Sequence, residues 1–137
     1  MTAATKDRDT REVTGRFRSG PMAASTKVYA GTIAVVDASG NVTKGSTATT
    51  LKAIGVFDQP YDNTGGAAGA ITAEAKRGIF GPFANSSAGD AIAAADVGST
   101  CYIVDDQTVA KTNGSSTRSA AGVVHAVDTE GVWVRFD

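Results

Sequence analysis

Residues 121–137 read AGVVHAVDTEGVWVRFD, and the layout of this stretch decides what kind of molecule the chain forms. The tetrad Asp128-Thr129-Glu130-Gly131 suits a type I turn closed by a glycine with positive φ, joining two short Val-rich runs. With Asp128 set opposite Val132, Ala126 pairs with Val134 and Val124 with Phe136. Side chains alternate across a strand, so Val124, Ala126, Val132, Val134 and Phe136 form one apolar face, the expected core hairpin. The other face then carries Val123, His125, Val127, Trp133, Arg135 and Asp137, with His125 opposite Arg135. On this reading the single histidine and single tryptophan of the chain are strand positions rather than parts of a reaction centre.

The rest of the composition agrees with a pleated architecture. There are 24 Ala, 14 Val, 6 Ile and 17 Thr against a single Leu, a profile that suits strands better than helical cores. Leu, Ile, Val and Phe together make 26 of the 137 residues, a thin core that favours completion by other chains. The small net charge of -1 argues against disorder. From Lys27 onward short strand signals alternate with turns: KVYAGTIAVV, the turn DASGN, VTKG, LKAIGVFDQ, the loop YDNTGGAAG, AITAEAKRGIF, and STCYIVDDQTVAKT as two strands around an Asp/Gln turn. DAIAAADVG has room for one or two helical turns. No strand alternates with a long helix, so parallel βαβ architecture is not expected and the expected fold is all-β, built of short antiparallel strands.

Charge divides the chain. Up to Lys27 the balance is +3, and from Val28 onward it is -4. Residues 1–26 contain few large apolar groups and several helix breakers, so they read as an extended N-terminal arm on a body spanning 27–137. Arg8, Arg11, Arg16 and Arg18 could pair with carboxylates of a partner, and Phe17 could serve as an apolar anchor. Interleaved Asp7, Asp9 and Glu12 spoil a phosphate-tracking stripe, so nucleic acid is not an expected partner. No apolar run of about 18 residues is present, and the first 20 residues lack the apolar stretch of a secretory signal, so neither a membrane nor Sec-type export is expected.

Candidate chemistry is sparse. A lone Cys101 in a Val/Ile segment fits a buried hydrophobe. GGAAG at residues 65–69 lacks the Lys-Ser/Thr of a phosphate loop, and the Asp105-Asp106 pair fits a turn. No catalytic residue, cofactor, metal or small-molecule substrate is therefore expected.

Four segments in order, LKAIGVFDQPYDNTGGAAG, AKRGIFGPFANSSAGDAI, ADVGSTCYIVDDQTVAKT and RSAAGVVHAVDTEGVWVRFD, resemble the capsid decoration (cement) proteins of tailed bacteriophages and related prophages. The likeness covers roughly Lys27 to Asp137. It implies that these strands form a small β-barrel or β-tulip/sandwich domain without enzymatic activity. It also implies homotrimers seated on the major capsid protein, on the outer surface of a virion assembled in the bacterial cytoplasm. A different class of function is a host-glycan or adhesion module using Tyr61, Phe83 and Trp133, which the 7% aromatic content disfavours.

Overall fold

The computed structural model describes residues 2–13 and 15–137. It is all-β, with twelve strands among the described residues and two single 3₁₀ turns at Ala88–Asp90 and Ala94–Asp96. In chain order the strands are β1 (Phe17–Pro21), β2 (Lys27–Val28), β3 (Ile33–Val36), β4 (Val42–Lys44), β5 (Lys52–Phe57) and β6 (Tyr61–Asp62). They continue with β7 (Thr72–Lys76), β8 (Gly78–Asn85), β9 (Thr100–Ile103), β10 (Thr108–Ala110), β11 (Ala120–Val127) and β12 (Val132–Phe136). A five-stranded sheet runs β1-β7-β5-β3-β4, a closed barrel runs β10-β8-β12-β11-β9, and β2 and β6 form a two-stranded ribbon. Neighbours are antiparallel except for β8 and β10, which pair in parallel over Thr108↔Ala84 and Val109↔Asn85.

The unbroken apolar run at β3 is explained by burial on both faces. Ile33 and Val35 join Val56 in a core shared with Phe83, Ile103, Val109, Val124, Val132, Val134 and Phe136 of the barrel. Ala34, one pleat out of phase, enters a second core with Met22, Val28, Val42, Ile54, Phe57, Ala73 and Ala75. The five-stranded sheet is thus the middle layer between the barrel and the ribbon that carries Val28. Its central strands need small or branched side chains on both faces, which accounts for the Ala- and Val-rich composition.

Three expectations are corrected. KVYAGTIAVV is two strands, because Gly31 at φ 80 and the bonds from Thr32 N and Oγ1 to the Tyr29 carbonyl turn the chain between β2 and β3. The folded body begins at Phe17, not at residue 27: β1 pairs with β7 from Phe17↔Lys76 to Pro21↔Thr72, and Met22 is completely buried. The closing hairpin has a different register, Val127↔Val132, Ala126↔Trp133, Val124↔Val134 and Val123↔Arg135, with a bulge between Val124 and Ala126.

The cause of the new register is Asp128. Its Oδ1 accepts hydrogen bonds from the backbone N–H of Glu130 and of Gly131, and its Oδ2 accepts one from Trp133 Nε1 at 3.0 Å. Asp128 is therefore a loop residue, and the closing pair moves inward to Val127 and Val132. The bulge at His125 then restores the alternation, so Val124, Val132, Val134 and Phe136 are buried while Ala126 is only half-buried. His125 is exposed on the bulge and does not face Arg135, whose partner across the ladder is Val123.

Candidate functional site

The arm and the strand that follows it are the most exposed charged part of the molecule. Residues 2–13 are exposed throughout, and none of them makes a hydrogen bond to the body among the described residues. The chain is fixed where it joins β1: Arg77 N donates to the Arg16 carbonyl at 2.7 Å, and Arg77 Nη1 donates to the Gly15 carbonyl at 3.1 Å. Arg16 and Phe17 are brought together, with the guanidinium carbon 5.5 Å from the ring centroid, a cation–π contact that leaves Phe17 49% exposed.

Arg18, one pleat on, points to the other side of β1. There it lines a groove of about 500 Å³ with Lys52 over an apolar floor of Val36, Val42 and Ile54. Arg8 and Arg11 lie on the free arm, away from these three. The ion pairs among the described residues are Lys111–Asp96, Arg118–Asp90 and Arg135–Asp137, so none of these four arginines is paired among them.

A second feature lies between the five-stranded sheet and the barrel. A cleft of about 730 Å³ is lined by Phe57, Asp58, Lys76, Phe80, Gln107 and Glu130, together with the Ala30–Thr32 turn and further residues of β8. The Lys76 ammonium lies 5.5 Å from the Phe80 ring centroid, and Asp58 Oδ1 accepts a hydrogen bond from Tyr61. Phe17 is the ladder partner of Lys76, so the arm leaves the body at the rim of this cleft. Its lining comes from segments far apart in the chain, and no local motif announces it.

Residues with reactive side chains are otherwise engaged in structure. Cys101 is fully buried with its thiol 3.6 Å from the Gly122 carbonyl, and burial pushes that thiol up to about 11. Residues 65–69 form a turn organised by buried Asn63, whose amide donates to the Ala23 and Ala67 carbonyls. Asp105 caps the β9–β10 turn by accepting from Gln107 N, and the Asp106 carbonyl accepts from Ile33 N. Among the described residues no group of three or more His, Cys, Asp or Glu is placed to hold a metal ion. Tyr61, Phe83 and Trp133 do not form one exposed platform: Phe83 is buried, while the other two are half-buried and hydrogen-bonded to Asp58 and Asp128.

Asp90 is the strongest polar clamp. Its carboxylate accepts from Thr112 Oγ1 at 2.6 Å, Thr112 N, Arg118 Nη1 at 2.8 Å and Ser86 Oγ, tying the end of β8 to the loop after β10. The Thr112 hydroxyl, with Arg118, the Thr112 amide and Ser86, outweighs burial and lowers this carboxyl to about 2. A depressed pKa means that stability is present above the ordinary value of 3.8 and is lost as pH falls through about 2. The melting temperature is therefore expected to fall between pH 4 and 2, and Asp90→Asn should flatten that part of the profile. An unchanged slope in the variant would assign acid sensitivity to other carboxylates.

No family model matches the chain, and comparison with curated proteins and with solved structures finds no match.

Proposed function

We propose that the chain is a structural decoration protein that binds the outside of a phage head and stabilises contacts between major capsid subunits. The resemblance of four segments supplies the family, and the all-β body accords with it. The observation that carries the reading is an exposed, arginine-bearing arm rooted on an edge strand, with Arg16 and Phe17 stacked at the root and, among the described residues, no ion pair for any arm arginine. Such an arrangement is suited to docking on an acidic surface: guanidinium groups form directed pairs with carboxylates, and Phe17 adds an apolar contact. On this reading the chain acts as a homotrimer on the virion surface, assembled in the host cytoplasm, and performs no catalysis.

Sedimentation with expanded, undecorated heads tests it. The full chain is expected to co-sediment, with occupancy falling as salt rises because exposed ionic contacts are screened. A chain lacking residues 2–16 is expected to stay folded and to occupy fewer sites. A deletion reaching residue 26 is not equivalent, since it also removes β1 and Met22 from the body. Equal occupancy with and without residues 2–16 at both salts would return docking to the loops. Failure of the full chain to sediment with heads, joined to capture on a glycan array, would replace the reading with a host-surface module.

A further inference from the structure

The arm and the inter-sheet cleft are complementary in ways that the capsid reading does not use. Lys6, Asp7, Arg8 and Asp9 alternate in sign, so an extended chain presents two cations on one side and two carboxylates on the other. The cleft also carries both signs, Asp58 and Glu130 against Lys76, and none of the three is in an ion pair among the described residues. Extended chain between Asp9 and Gly15 spans on the order of 20 Å, enough to leave the body and reach an adjacent molecule. The exit is held by the bonds from Arg77 to the Gly15 and Arg16 carbonyls, and in the single chain residues 2–13 stay exposed while the cleft stays open.

We propose that the segment Lys6–Asp9 of one copy lies in the inter-sheet cleft of a second copy, so that the arms tie neighbouring chains together. The contact is head-to-tail: each chain gives an arm and receives one, and a repeated contact of this kind closes into a ring when the rotation permits. The root residues Arg16, Phe17 and Arg18 are left free for a capsid partner. The occupant is a second copy of this chain, by the mixed charge that arm and cleft both carry and because residues 2–13 stay exposed, outside the cleft, in the single chain.

The test uses purified chain without heads, so its failure is separate from failure of the capsid reading. Four arm variants, Lys6→Cys, Asp7→Cys, Arg8→Cys and Asp9→Cys, are each mixed with a size-tagged Glu130→Cys chain and oxidised. Native Cys101 is buried and does not compete. At least one mixture is expected to give a disulfide-linked pair of unlike chains, and high salt should suppress it. Light scattering is expected to show an oligomer for the full chain. Removal of residues 2–13 should raise its dissociation constant by about tenfold or more, the scale of two or three exposed ion pairs. Both results are required. Absence of every cross-link, equal mass with and without residues 2–13, or a closed monomer from Arg8→Cys combined with Glu130→Cys in one chain would each overturn the proposal.

Discussion

Replacing Val134 by aspartate is expected to unfold the chain. Val134 has no exposed surface, stands opposite Val124 on one side and Phe80 on the other, and lies in the core that joins barrel to sheet. No cation is buried among the described residues, whose buried polar side chains are Asn63 and Ser119, so an aspartate there is either a buried unpaired charge or a neutral acid without partners. The cost is about 4 kcal/mol or more, comparable with the whole stability of a small domain. Far-ultraviolet circular dichroism at 25 °C should show loss of the β signal. His125→Ala, on the exposed bulge of the same hairpin, should leave the melting temperature within about 2 °C. The reverse ranking would mean that the hairpin is not packed as described.

Gly55→Ala is expected to break the five-stranded sheet while sparing the barrel. Gly55 has φ +138, a backbone conformation open to glycine, and an added Cβ would stand 2.1 Å from the Lys76 carbonyl oxygen and 2.7 Å from its carbon. Both atoms are backbone, so β5 and β7 must part, and Val56↔Lys76 and Phe57↔Ala75 are lost with them. Strain and lost pairing together cost about 3 kcal/mol or more. Since β1 is held through β7, amide exchange should rise over residues 17–22 and 72–76 and remain slow in β11 and β12. Uniform loss of protection would show that sheet and barrel unfold as one unit through their shared core.

Strand identity was legible wherever β-branched residues alternate or run together, as at Ile33–Val36, Lys52–Phe57 and Val132–Phe136. Register was not, because it depends on bonds that cross the turn: the Trp133 indole reaching Asp128 shifts the hairpin by making Asp128 part of its loop. The charge balance of the first 27 residues concealed β1, whose formation depends on a partner strand at residues 72–76 rather than on its own FRSGP composition. Arg16, Phe17 and Arg18 were visible as candidate contacts, but Arg18 lies on the opposite face of β1 from Phe17, whose ring holds the Arg16 guanidinium, and only the pairing with β7 reveals that split. The cleft was invisible, since its charges at 58, 76 and 130 meet only after two sheets pack.

Strand β1 also bounds how far the protein can grow by sheet addition. The bonds from Arg77 N to the Arg16 carbonyl and from Met22 N to the Ile71 carbonyl turn the even-numbered backbone groups toward β7. Phe17, Ser19 and Pro21 therefore face outward, and proline has no N–H to give. At its far end the strand is closed off where Ala23 N donates to the Val42 carbonyl. The N–H and C=O groups of Phe17 and Ser19 and the Pro21 carbonyl remain to template an incoming strand, too few for a continuous ribbon. With every strand of the barrel paired on both sides, and the remaining edge strands β4, β2 and β6 only 3, 2 and 2 residues long, the described residues present no long sticky edge, and a surface crowded with copies of the chain should resist fibrous aggregation.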